Sequence, residues 1–223
     1  MHIHGLQKLA MVDYPGKLAA TVFTGGCNLR CPFCHNALLV TRLAETPEIP
    51  EQEVLDFLAS RRGLLDGVVL TGGEPLLQPD AADFLRKVRE LGFAVKLDTN
   101  GCDPARLAEI LNQGLVDYVA MDVKNSPERY PETVGVPGLD LTPVRDSVAW
   151  LLEGHVEYEF RTTAVRQLHD AASFQAIGRW LQGARRYYIQ NFVDRDTVLR
   201  AGLSGFEKAE LEAFASLVRP FVE

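Results

Sequence analysis

The segment TVFTGGCNLRCPFCHN packs three cysteines, Cys27, Cys31 and Cys34, into eight residues. Thiolates are the ligands that iron–sulfur clusters use, and the CxxxCxxC spacing lets one loop wrap a cluster from one side. Three thiolates leave the fourth iron of a four-iron cluster open to a substrate or cofactor. Other chemistry is open to the same residues. A structural zinc site wants four ligands. His35 is adjacent to Cys34 and poorly placed to complete a tetrahedron, and no second CxxC exists. The CPFC part has the form of a thioredoxin-like redox pair, which leaves Cys27 unexplained. Packing cysteines are the remaining reading.

Further polar clusters follow the chain's apolar runs. Thr71-Gly72-Gly73-Glu74-Pro75 combines glycines, which let a backbone approach a ligand, with a carboxylate that accepts from an ammonium. The alternative is a plain strand-to-helix turn with Glu74 near a helix N-terminus. Asp98-Thr99-Asn100-Gly101 and Met121-Asp122-Val123-Lys124 place two carboxylates at neighbouring strand ends. Those carboxylates repel unless a cation sits between them. Lys124 or a bound metal ion supplies it, and an ordinary ion-pair network would serve equally. Arg161 lies inside the run Glu157–Thr163 and is costly to bury without a carboxylate partner. Cys102 is assigned no role, because a buried free cysteine is the commoner case. His2, His4, His155 and His169 show no ligand-like pairing, and the terminal His-Ile-His is read as a floppy end.

These residues need elements to position them. Candidate strands are Ala19–Thr24, Gly67–Thr71, Ala94–Asp98, Tyr118–Asp122, Glu157–Thr163 and Tyr187–Phe192, most of them rich in apolar, β-branched residues, as strands covered on both faces are. Helices are marked between them by Pro near the start and Gly past the end: Pro50 to Gly63, Pro79 to Gly92, Asp103-Pro104 to Gly114, Thr142-Pro143 to Gly154, Asp170 to Gly183 and Ser204 to Pro220. About six βα units are too few for the eight-unit barrel. An open, partial (β/α)6 TIM-like barrel of parallel strands is the leading α/β architecture, with a doubly wound sheet as its competitor. One domain over 1–223 is expected, with a core of about 17–192 and a C-terminal helix of about 204–219. In barrel enzymes functional residues sit where strands end, and every polar cluster above falls there. The Pro- and Gly-rich stretch from Asn125 to Leu141 is read as a loose connection, with a loop beside the site as the alternative.

The whole chain sets outer limits. Its 223 residues, 47% hydrophobic, suffice for one sizeable core. The formal net charge of -7 argues against a broad nucleic-acid or anionic-membrane footprint. No segment approaches the ~20 apolar residues of a membrane span. The N-terminus lacks the pattern of a signal peptide. Four cysteines, three of them crowded, favour a metal or redox site in a reducing compartment, for which cytoplasm is the default.

The CxxxCxxC motif after a first strand resembles that of the radical S-adenosylmethionine (SAM) superfamily. The form CNLRCPFCHN resembles the glycyl-radical-activating branch, and MVDYPGKLAATVFTGGC is similar to the activating proteins of anaerobic ribonucleoside-triphosphate reductase. The resemblance extends to about Phe192. It implies a 4Fe-4S cluster on Cys27, Cys31 and Cys34, with the SAM amino and carboxylate groups on the open iron. Reductive cleavage then yields a 5′-deoxyadenosyl radical that abstracts a hydrogen atom. It implies that Gly72, Gly73 and Glu74 bind the SAM amino group. It further implies a monovalent-cation site at Asp98, Thr99 and Asp122, with Lys124 near SAM, and a SAM carboxylate as one partner for Arg161. Some activators have a histidine where Phe192 stands, so Phe192 either stacks on the adenine or simply packs.

The resemblance implies a glycyl-radical enzyme as partner, anaerobic ribonucleotide reductase in the first place, and a low-potential electron donor such as flavodoxin or ferredoxin. Neither a ferredoxin-like insertion nor an auxiliary-cluster domain is expected, since no cysteine lies between Asn36 and Gly67 or after Cys102. A small-molecule radical SAM enzyme, of the kind of 7-carboxy-7-deazaguanine synthase, is the alternative enzyme. A non-catalytic metal or redox module is the third reading. Residues past Phe192 carry no readable function.

Overall fold

The computed structural model describes all 223 residues. Seven strands form one sheet in chain order: β1 (Ile3–Ala10), β2 (Ala19–Thr24), β3 (Gly67–Gly72), β4 (Ala94–Thr99), β5 (Tyr118–Asp122), β6 (Glu157–Ala164) and β7 (Tyr187–Asn191). The order does not close on itself. β1 is antiparallel to β2, whereas β2–β3, β3–β4 and β6–β7 are parallel. Helices fill the connections: α1 (Ala37–Thr41), α2 (Glu51–Ser60), α3 (Ala81–Glu90), α4 (Pro104–Asn112), α5 (Tyr130–Thr133), α6 (Thr142–Leu152), α7 (Ala171–Trp180) and α8 (Lys208–Val218). Strands β2 to β7 are the six expected, and the open, mostly parallel α/β sheet is that of a partial (β/α)6 barrel. The middles of β2 to β6 are buried, as at Val68, Val69, Leu70, Val119, Ala120 and Met121, which is why most of the strands read as continuous apolar runs.

Two compact units divide the chain. The first comprises Met1–Asn28, Leu38–Thr99 and Ala105–Val119; the second comprises Leu29–Ala37, Asn100–Pro104 and Ala120–Glu223. In the first, β1 corrects the reading of the N-terminus as a floppy end. Ile3 is fully buried, its carbonyl accepts from the Ile49 amide at 2.7 Å, and His4 Nδ1 lies 3.1 Å from the Thr46 carbonyl. The strand hides from a periodicity search because Gln7, Lys8 and Leu9 face solvent and mix polar with apolar residues. In the second unit, aromatic rings stack in sequence, Phe174 on Phe214 at 4.6 Å and Phe214 edge-on to Phe206 at 4.9 Å, and so seat α8 against α7. α8 starts at Lys208, later than the expected Ser204. A capping box between Glu207 and Glu210 sets that start.

Candidate functional site

In the first unit, the approach to Cys27 is built by backbone. β2 ends at Thr24, whose carbonyl accepts from Gly73 N–H at 2.9 Å. Gly26 N–H donates to the Leu39 carbonyl, and the Gly26 carbonyl accepts from Glu74 N–H, both at 2.8 Å. The residue before Cys27 is thereby fastened to the Gly72-Gly73-Glu74 segment. The glycines are required for this. Gly72 has φ +121°, a Cβ on it would stand 2.3 Å from the Thr24 nitrogen, and one on Gly73 would stand 1.8 Å from the Gly26 oxygen.

Glu74 is 2% exposed. Its Oε1 accepts from Leu76 N–H at 3.1 Å, capping the 3-10 turn Pro75–Leu77, and from the Thr99 hydroxyl at 2.7 Å. The turn-capping alternative is therefore realised, with the carboxylate also held by a neighbouring strand end. Asp98 is paired with Lys96 at 2.6 Å. Sequence reasoning missed Lys96, a fully buried lysine inside the apolar strand β4. The signal was present, since a charge within an apolar run is what singled out Arg161.

In the second unit, Cys34 N–H donates to the Cys31 carbonyl at 3.1 Å, so these two cysteines share one tight turn. Two segments flank it. Arg30 N–H donates to the Val134 carbonyl at 2.9 Å, and Gly135 lies so close that a Cβ would stand 2.4 Å from the Arg30 oxygen. The stretch from Asn125 to Leu141 is thus no loose connection: it contains α5, and Asn125 and Tyr130 are fully buried. On the other flank, the His35 ring stacks on Phe192 at 5.4 Å and 7°, and His35 Nε2 donates to the Val193 carbonyl at 2.8 Å. Arg200 N–H donates to the Pro32 carbonyl at 2.9 Å. Phe192 is buried under this contact. Its packing partner was invisible in the sequence because 157 residues separate the two rings.

Asp122 carries two cations of the protein's own, Lys124 Nζ at 2.9 Å and Arg161 Nε at 3.0 Å. Burial would raise the Asp122 carboxyl, but Arg161 and then Lys124 outweigh it and hold the group down at about 2. Burial opposes charge on Lys124 as well, yet the Asp122 carboxylate keeps it well above the usual lysine range. His169, buried, donates from Nε2 to the Lys124 carbonyl at 2.9 Å and so fixes the backbone of that residue. Burial pushes the Cys34 thiol up, with Lys124 working against it.

The donor set fits an iron–sulfur cluster. None of the four cysteines is in a disulfide. No three His, Cys, Asp or Glu side chains are grouped closely enough to chelate one metal ion. A four-iron cluster takes its thiolates at separate corners. The resemblance implies a cation site at Asp98, Thr99 and Asp122. Each is engaged within the protein, Asp98 by Lys96, Thr99 as donor to Glu74, and Asp122 by Lys124 and Arg161.

Comparison with known proteins gives the same chemistry. The family model described as the radical SAM superfamily matches residues 21–171. A protein of Methanocaldococcus jannaschii named for glycyl-radical enzyme activation is 34% identical over 202 residues, covering 87% of this chain and 81% of its own. The pyruvate formate-lyase-activating enzyme of Clostridium pasteurianum is 35% identical over 128 residues, with 55% of this chain and 52% of that one covered. The crystal structure of Streptococcus suis SuiB bound to S-adenosylmethionine superimposes with a TM-score of 0.69 at 16% identity, over 88% of this chain and 45% of that one, a likeness of fold. No helix is long and apolar enough to cross a membrane. On its cysteine loop, its sheet and these relationships, the chain belongs to the radical SAM superfamily and, within it, to the glycyl-radical-enzyme-activating enzymes.

Proposed function

We propose that this chain generates a glycyl radical on a partner enzyme, anaerobic ribonucleoside-triphosphate reductase. The observation that carries the reading is the CxxxCxxC loop, fastened at Gly26 to the Gly-Gly-Glu segment by the Glu74 N–H. The cofactors of the family are a 4Fe-4S cluster and SAM. Cys27, Cys31 and Cys34 would hold the cluster. When bound, cluster and SAM together supply a 5′-deoxyadenosyl radical through transfer of one electron, donated by a flavodoxin or ferredoxin in a reducing cytoplasm.

The chain's own residues bind and orient. The Gly72–Gly73 backbone lets a ligand approach closely, and the buried Glu74 carboxylate offers an ammonium group its acceptor. The cationic ends of Lys124 and Arg161 suit a carboxylate, and Asp122 favours the charged form of Lys124 and holds both in place. Burial of Cys31, at 6% exposure, keeps water from that part of the loop, as a reactive radical requires.

The test is anaerobic incubation of the reconstituted protein with SAM, dithionite and the candidate reductase, read by electron paramagnetic resonance and by 5′-deoxyadenosine formation. A glycyl doublet is the expected outcome. Deoxyadenosine without a doublet removes the activase reading. A radical reaction on a small molecule is the second reading, favoured by the C-terminal segment that is tied to the Cys31–Cys34 turn at Pro32 and His35. It predicts deoxyadenosine whose amount tracks added small substrate rather than added reductase.

A further inference from the structure

We propose that His35 is a positioning residue of the cysteine centre, clamping the segment 193–202 across the Cys31–Cys34 turn. The inference rests on the cluster reading above and deepens it.

The segment VDRDTVLRAG follows β7 and contains neither strand nor helix. Nearly all of it is exposed, and it carries Asp194, Arg195, Asp196 and Arg200. A polar, irregular stretch of this kind buries little apolar surface of its own. Two polar contacts hold it to the turn. At its start the Val193 carbonyl accepts from His35 Nε2, 2.8 Å away. Near its end Arg200 N–H donates to the Pro32 carbonyl, 2.9 Å away. The two ties fall on either side of the Cys34 position, so the segment runs along the turn as a strap.

His35 supplies more than a hydrogen bond. A carbonyl cannot donate, so Nε2 must carry a proton. The ring is nearly parallel to that of Phe192, with centroids 5.4 Å apart. Phe192 itself is buried, and its amide donates to the Ala164 carbonyl at 3.1 Å at the end of β6. One side chain on the cysteine loop thus reads both the ring of residue 192 and the carbonyl of residue 193. A residue that only filled space would need neither the aligned donor nor the parallel ring. With the strap down, solvent and small reagents reach Cys34 and any iron on it less readily.

Two sets of measurements test this, the first without any cluster. In the unloaded protein, trypsin cleaves the strap at Arg195, and iodoacetamide reports exposure of the thiols. Proteolysis of a transiently opened segment follows the population of its open form. His35→Ala removes about one hydrogen bond and one stacked ring from the clamp. It is therefore expected to be cut about tenfold faster at Arg195, with faster thiol alkylation and an unchanged melting temperature. His35→Gln, which keeps a donor, and His35→Phe, which keeps the ring, should each recover part of the protection. Arg200→Pro deletes the other tie from the strap side, leaves the cysteine loop unaltered, and should open the strap similarly.

In the second set, the anaerobically reconstituted proteins are challenged with an iron chelator. Faster iron loss from His35→Ala than from wild type is expected, with the two partial variants between them. Equal cleavage, alkylation and iron-loss rates in wild type, His35→Ala and Arg200→Pro would overturn the clamp. Failure of wild type to take up iron would instead overturn the cluster reading, and the cleavage result would remain to judge the strap by itself.

Discussion

Asp122 shows how single side chains set the chemistry here. An aspartate on the C-terminal end of a strand is ordinary, but this one has Lys124 and Arg161 within 3.0 Å. Its carboxyl is held at about 2, against 3.8 ordinarily. A lowered carboxyl contributes stability that is complete above its unfolded value and is lost as pH falls through its folded one. That window here runs from near pH 4 down to about pH 2. Arg161→Met removes the larger of the two attractions and leaves a partly buried carboxylate with one cation. We expect a loss of about 2 kcal/mol at pH 7, measured by urea unfolding, with the gap to wild type narrowing below pH 4. A gap that is the same at pH 7 and pH 3 would show that Arg161 acts through packing instead. At this scale much was legible: Arg161 and Lys124 stand out as charges beside apolar runs. Lys96, His35 and His169 were not picked out, and the last two because their partners, Val193 and Lys124, lie far along the chain.

At the scale of elements, β2 to β7 were legible because most of them are covered on both faces and spell that out in apolar residues. β1 was not, since an edge strand with exposed residues carries a weak signal. The stretch from Asn125 to Leu141 was misread for a related reason. Its Pro and Gly content is that of a loop, and only its backbone bond to Arg30 reveals that it braces the cysteine turn. Where elements meet by backbone, side-chain pattern is silent and glycine is the surviving clue. Gly73 gives a sharp test. A methyl group placed there meets the Gly26 carbonyl at 1.8 Å, and that carbonyl accepts the Glu74 amide. Gly73→Ala must therefore displace the chain just before Cys27. The expected cost is about 1–3 kcal/mol, as for other overpacked sites, visible as a lower melting temperature. Iron bound per protein after reconstitution should fall as well. A variant that melts lower but binds iron fully would mean that the close approach serves the fold and not the cysteine loop.

For the whole molecule, the cofactor becomes a term in stability. The unfolded chain presents three thiols at arbitrary separations, whereas the folded chain holds Cys31 and Cys34 in one turn and anchors the residue before Cys27. A cluster therefore binds the native state far better than the unfolded one, and binding adds to unfolding free energy by mass action. At a free-ligand level about 100 times the dissociation constant the gain is about 2.7 kcal/mol, and for a chain of this size each kcal/mol moves the melting point by about 2–4 °C. The reconstituted protein is thus expected to melt about 5–10 °C above the unloaded one under anaerobic conditions. The ligand form of cysteine is the thiolate, and burial raises the Cys34 thiol. Protons consequently compete with iron for that sulfur, and the increment should shrink as pH is lowered from 8 toward 6. Cys34→Ser keeps the shape of the turn while removing one thiolate, so its melting point should scarcely respond to reconstitution. If wild type and Cys34→Ser gain equally, the iron is held elsewhere, and the assignment of the cysteine loop as the centre of this molecule is wrong.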